Sequence, residues 1–391
     1  MMGSDPRDSK GVRPQLILLL IALTVTAAAQ SAAVRQTTLH GRRAMTLEND
    51  RMVVSTLTGG GFIGEVRFKS NDPRKNINVM RVPHYPTIDP HTYDMTKHGD
   101  LYGTGMQRRL MSGYMGHFVA FPHFAAASQA ELAEDYGQHG EAIAVEWKID
   151  NAASVNGAAT LKYSAMLPKT RYMMVRTITL PEDETVAYVQ ESVENLEVFG
   201  RPIQWTQHVT FGPPFVALQK NFVDAPIATI ARSGQGPSAD QRIFSGNANS
   251  WLLDGSQPYV YFTMYNADYQ VLVGYIFEAA SNRWVLDWQE NGRVQERPWD
   301  NKVVARGICI GDSIVGGLRN AVERGRQLDT PVFSWLDARQ RRSQRYAIFL
   351  AEIPIGFKGV ADLRVERDRI AIVERETGVV RSVKATGPLP F

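Results

Sequence analysis

One cysteine in 391 residues, Cys309, is the scarcest feature of this chain. A single thiol excludes an intramolecular disulfide, and its position far from the N-terminus excludes a lipid anchor on a cysteine beside a cleavage site. Excess charge is also lacking. The net charge is +3, of which residues 1–29 supply +1 (Arg7, Lys10 and Arg13 against Asp5 and Asp8), so the remainder carries about +2 and implies no nucleic-acid face. The densest basic run, Arg339 to Arg345, leads into the apolar segment Tyr346–Leu350 and reads as a solvated turn. There is no glycine-rich phosphate loop, no Gly-x-Ser-x-Gly nucleophile turn, no low-complexity tract and no internal repeat. Six of the eight histidines lie between positions 84 and 139, but Pro86 and Pro90 break any helix that would align His84, His91 and His98. His117 and His123 could share a strand face, yet no acid or thiol at ligand spacing completes a zinc site, so neither metal nor cofactor is expected.

What is present begins with an N-terminal leader pattern. Lys10 and Arg13 precede an apolar run from Leu16 to Val25, followed by small residues through Ala33. This predicts a signal peptide over residues 1–29, with the mature chain starting between Gln30 and Val34. No comparable apolar run of about 20 residues follows, so the mature protein is expected to be exported, periplasmic or secreted, and free of the membrane. Residues 34–391 are expected to form a single domain, since no Pro/Ser/Gly-rich linker interrupts them. The segments Tyr259–Tyr265, Gln270–Phe277 and Lys302–Ala305 are short, aromatic or β-branched and bounded by turn formers. Such segments predict an all-β, antiparallel chain. Only Ser128–Glu134 and Gly316–Gly325 read as brief helices, and the chain closes on a hairpin of Arg369–Val373 with Val379–Val383.

Two segments carry candidate chemistry. In Gln204–Pro214, strand alternation puts Gln204, Thr206, His208 and Thr210 on one polar face, with Trp205, Val209 and Phe211 on the core side. In Gln138–Trp147, alternation puts His139 and Glu141 on one face with Ile143, Val145 and Trp147. Imidazole, carboxylate and an aromatic platform together suit a sugar ring, whose C–H faces stack while its hydroxyls hydrogen-bond.

Taken in order, these segments resemble the galactose mutarotase-like superfamily of aldose 1-epimerases. The resemblance rests on Leu47–Val54 with Gly59–Ile63, on Gly116–Phe124, on Gln138-His139-Gly140, on Trp205–His208 with Phe211-Gly212, and on Arg306–Ser313. It implies a large antiparallel β-supersandwich that interconverts sugar anomers by histidine-assisted ring opening, without a cofactor. It also implies that His208 donates to the ring oxygen and that His139 orients the sugar. Gln207, Trp205, Glu141, Arg306 and Asp312 are the candidate substrate-binding residues. The family's late strand commonly carries the glutamate that takes the anomeric proton, and that place is occupied here by Cys309. A thiol's ordinary pKa is about four units above that of a glutamate, so it is a poor base. Asp312, Glu141 and Glu290 are the carboxylates that could stand in for it. The alternative is a carbohydrate-binding protein without turnover, and arginines at the cleft, Arg306 among them, would suit an acidic sugar.

Overall fold

Alternating apolar residues recur throughout the chain, and in the computed structural model they make strands that pair antiparallel throughout. The structure describes residues 32–105, 108–232 and 245–389; the expected signal peptide lies outside them. Ser31–Phe391 form one compact unit.

Two sheets dominate. An eight-stranded sheet runs from the Asn221–Asp224 strand at one edge to the Lys148–Val155 strand at the other. A six-stranded sheet has the order Ile227–Arg232, Ser245–Leu253, Trp284–Asn291, Val304–Gly311, Thr206–Phe211 and Phe118–Ala120. Their facing side chains form the main core, which includes Val209, Phe211, Ile308 and Ile310 from the smaller sheet and Val189, Phe262, Val273 and Ile348 from the larger. A four-stranded N-terminal sheet adds Leu47, Met52 and Val54 to the same core. The expected C-terminal hairpin is present as two strands of a three-stranded sheet that covers the outer face of the large one.

Both brief helices form, as Gln129–Ala133 and Leu318–Arg324. The first starts in a capping box in which Ser128 and Glu131 satisfy each other's backbone N–H groups. Two further short helices, Met95–Tyr102 and Arg108–Gly113, have no counterpart in the sequence reading. The Gln138–Trp147 segment departs from expectation. It is a turn followed by a short 3-10 helix at Ala142–Ala144, because His139 and Gly140 both take positive φ (64° and 85°) and break the extended run. A Cβ on Gly140 would lie 2.2 Å from the Phe121 carbonyl oxygen, so only glycine lets the loop dock there.

Candidate active site

The register of the six-stranded sheet decides which side chains share a face. His208 lies directly opposite Phe118 on one neighbour and Cys309 on the other, and Cys309 lies opposite Leu286. All four therefore point away from the main core, toward the helical segments and the docked 138–140 loop. There the His208 ring stacks on Phe118 with centroids 4.5 Å apart. The loop brings His139 edge-on to it, with ring centroids 4.8 Å apart. Gly307 permits this crowding, because a Cβ there would sit 3.0 Å from Trp288 and 3.1 Å from the His208 ring.

His139 and His208 open onto one cavity of about 340 Å³, walled by Tyr114, Trp288 and Trp299. Arg108 and Arg293 also line it, and among the described residues no carboxylate does. A more open cavity of about 810 Å³ adjoins it and shares Leu286.

Both histidines are held neutral. Burial pushes the His208 imidazole down to about 3, and the positive form of His117 would oppose it further. Burial, then the nearness of His208 and His123, lowers His139 well below the usual range. The Ala125 N–H donates to His139 Nδ1 (3.2 Å), so the neutral ring carries its proton on Nε2, which lies 3.3 Å from the Gln138 side-chain amide. His208 Nδ1 lies 3.0 Å from Thr210 Oγ1, which lies 2.7 Å from the Tyr114 hydroxyl. Burial raises the Tyr114 phenol, which keeps its proton. The Tyr114–Thr210 pair thus holds the His208 ring through its Nδ1. The site thus brings together two neutral imidazoles and, among the described residues, no free carboxylate.

The remaining sequence candidates lie elsewhere. Gln207 and Trp205 face the main core, where Gln207 Nε2 donates to Glu191 (2.6 Å), Trp205 Nε1 donates to the same oxygen (3.2 Å) and His117 Nε2 donates to Gln207 Oε1 (2.8 Å). Arg306 is fully buried in a two-point pair with Asp287 (2.9 and 2.8 Å) and donates to the Asn221 carbonyl. Glu141 spends both oxygens on the Lys169–Thr170 turn, accepting from two backbone N–H groups and the Thr170 hydroxyl. Asp312 accepts from the Trp205 N–H (2.8 Å), and burial raises its carboxyl to about 6. Glu290 is on the cavity side of the sheet but accepts from the Arg293 and Val294 N–H groups, and so anchors a loop. Trp147 is buried beside Arg176 and is not the aromatic platform. Gln204 bonds Phe124 N, Ser313 and Val315, so of the four residues assigned to the polar face only His208 reaches the cavity.

Tyr114, Trp288, Trp299, Arg108 and Arg293 escaped the sequence reading. For Trp288 a signal existed: it pairs across from Gly307, and a glycine inside a strand marks a close approach. The others come from helical and loop segments that carry no strand period.

No protein-family model matches the sequence, and no curated protein matches it. Solved structures do. A candidate aldose 1-epimerase from Klebsiella pneumoniae superposes with a TM-score of 0.62 at 12% identity, covering 82% of this chain and 83% of its own. A galactose mutarotase-like protein from Clostridium acetobutylicum gives 0.58 at 12% identity, covering 83% of this chain and 99% of its own. A candidate aldose 1-epimerase from Escherichia coli K12 gives 0.52 at 10% identity, covering 82% and 100%. Agreement over four-fifths of the chain at such low identity is agreement of architecture, and the fold of this chain is the galactose mutarotase-like β-sandwich.

Proposed function

We propose that this protein is an exported carbohydrate-active protein of the aldose 1-epimerase type, with the cavity between His139 and His208 as its sugar site. The observation that carries the reading is the convergence of two neutral imidazoles, from a strand and a loop distant in sequence, on one aromatic-walled cavity. A volume of about 340 Å³ is at the small end of ligand sites and suits a single sugar ring. Trp288, Trp299 and Tyr114 would stack on the ring's C–H face, and the two imidazole N–H groups would bind its oxygens.

In mutarotation, a donor at the ring oxygen and a base at the anomeric hydroxyl open the ring, and rotation of the carbonyl carbon precedes reclosure. His208 is assigned to the ring oxygen and acts as a neutral hydrogen-bond donor, since its imidazolium forms only near pH 3. His139 orients the sugar. No lining residue supplies the base: His139 Nδ1 is occupied by Ala125, and Cys309, opposite His208, is a buried thiol pushed well above its ordinary pKa. That absence favours a second reading, in which the site binds a sugar without turning it over.

Polarimetry and saturation-transfer NMR over a panel of aldoses, beside binding measurements on the same panel, separate the two. Turnover that His208→Gln abolishes supports the enzyme, and binding without turnover supports the second reading. If no sugar binds, both fall. Mass spectrometry of exported protein tests the leader: a mature start between Gln30 and Val34 is expected, and intact Met1 on exported material refutes it.

A further inference from the structure

We infer that the ligand of this cavity is an anionic sugar, bearing a carboxylate or phosphate that Arg108 and Arg293 hold at the cavity wall. The inference rests on the sugar reading above and adds the class of sugar.

Charge at the cavity is one-sided. Its lining contains two guanidinium groups and no acid, while the two histidines between them are uncharged. Arg108 has no acidic partner among the described residues; its Nη1 donates to the Arg297 carbonyl (3.1 Å). Arg293 lies 3.4 Å from Glu290, but that carboxylate is buried behind the loop and is also shared with two backbone N–H groups, and the Arg293 side chain is 56% exposed. Both guanidinium groups therefore keep donor capacity, and guanidinium matches the planar carboxylate and the phosphate oxygens in a two-point geometry. A neutral aldose would leave this positive field unanswered. An anionic one answers it, and the low-dielectric aromatic walls strengthen the attraction.

The arginine that the sequence offered for this role, Arg306, is excluded, because its charge is spent on Asp287 in the core. Arg108 has no acidic partner among the described residues, whereas Arg293→Gln leaves buried Glu290 with only its backbone N–H donors, so a thermal melt accompanies each variant's titration.

The test is isothermal titration of the full-length protein at low salt with four sets of ligands: galactose and glucose; their uronates; their 6-phosphates; and the neutral methyl esters of the uronates. Inorganic phosphate and acetate serve as controls. At least tenfold tighter binding of one anionic set over the matching neutral sugars is expected, and the set that gains identifies carboxylate or phosphate as the anion. Arg108→Gln and Arg293→Gln should each narrow that preference severalfold, as should raising the salt. Equal binding of acids, phosphates and neutral sugars overturns the inference while leaving the sugar site standing. So does a preference that survives both substitutions. Anionic sugars that bind no better than acetate or phosphate alone, with no neutral sugar binding either, overturn the sugar site itself.

Discussion

Cys309→Glu asks directly whether the cavity is a sugar site with its base removed. Cys309 is only 1% exposed and does not line the cavity. Its cross-strand neighbours on either side, His208 and Leu286, both do, and register puts all three side chains on one face. Cys309 packs in a buried apolar cluster with Tyr114 and Phe118, and a glutamate, which extends one bond past the position of the sulfur before its oxygens branch, serves as a base where its carboxylate clears that cluster and reaches the cavity. Its cost is then that of adding atoms beside Phe118 and Leu286, about 1–3 kcal/mol, and not the larger penalty of an enclosed, unpaired charge. Its gain, as a general base facing His208, is about a hundredfold or more in the rate of anomer interconversion.

The assay is polarimetry from pH 5 to 9 beside a thermal melt, with Cys309→Gln as a control of the same size but no basicity. We expect Glu and Gln to lose similar stability and Glu alone to gain rate, with activity rising through the new carboxylate's pKa. Loss of several kcal/mol in both variants with no rate in either would show that this face is core and the alignment of Cys309 with a catalytic glutamate is wrong. A rate gain shared by Gln would refute the base role.

Arg306→Met should cost about 3–5 kcal/mol by leaving Asp287 buried and unpaired, with sugar affinity unchanged at temperatures where the variant is folded; a selective loss of affinity in titration would instead return Arg306 to the site. Gly140→Ala should lower the melting temperature by several degrees and abolish ligand binding, since its methyl meets the Phe121 carbonyl and the shift displaces His139; unchanged binding would separate the loop from the site. Stability should fall as pH drops from about 6.5 toward 3, because the unfolded chain protonates His117, His139 and His208 while the folded chain holds His117 and His208 to about 3 and His139 well below 6.5. Asp312, raised to about 6, opposes this by one proton between roughly pH 6 and 4. Net uptake of two protons gives a slope of roughly 2–3 kcal/mol per pH unit, measurable by urea melts at pH 7 and pH 5, and equal stability at the two would refute neutral burial of the histidines.

The fold was legible because strand alternation is a local property: the 259–277 pair and the C-terminal hairpin were found from residue type and turn formers, and the late strand through its family-like segment. The two histidines, assigned through family-like segments, both line one cavity. The other assigned residues lie outside the lining of this cavity, for two physical reasons. The 138–147 segment alternates in sequence, but Gly140 and the positive φ at His139 override the pattern, so faces assigned by period two, including that of Glu141 and Trp147, do not exist. In the Thr206–Phe211 strand every residue is buried, so polarity could not tell a cavity side from a core side.

That second reason points to a better criterion than polarity. The core face of the six-stranded sheet carries Gln207, Arg306 and Asp287, as polar a set as any in the chain, and each is committed to a protein partner. A buried polar group with its bonds satisfied has nothing left for a ligand, whatever its chemistry. The cavity side differs in its unspent capacity: the Arg108 guanidinium, which no acid among the described residues neutralises, and the donors that Arg293 keeps beyond its contact with buried Glu290. Capacity of that kind follows only from register, loop docking and which donors the backbone has already used. The family-like late strand therefore offered Arg306, whereas the hydrogen-bond inventory commits Arg306 to Asp287 and leaves Arg108 and Arg293 at the cavity.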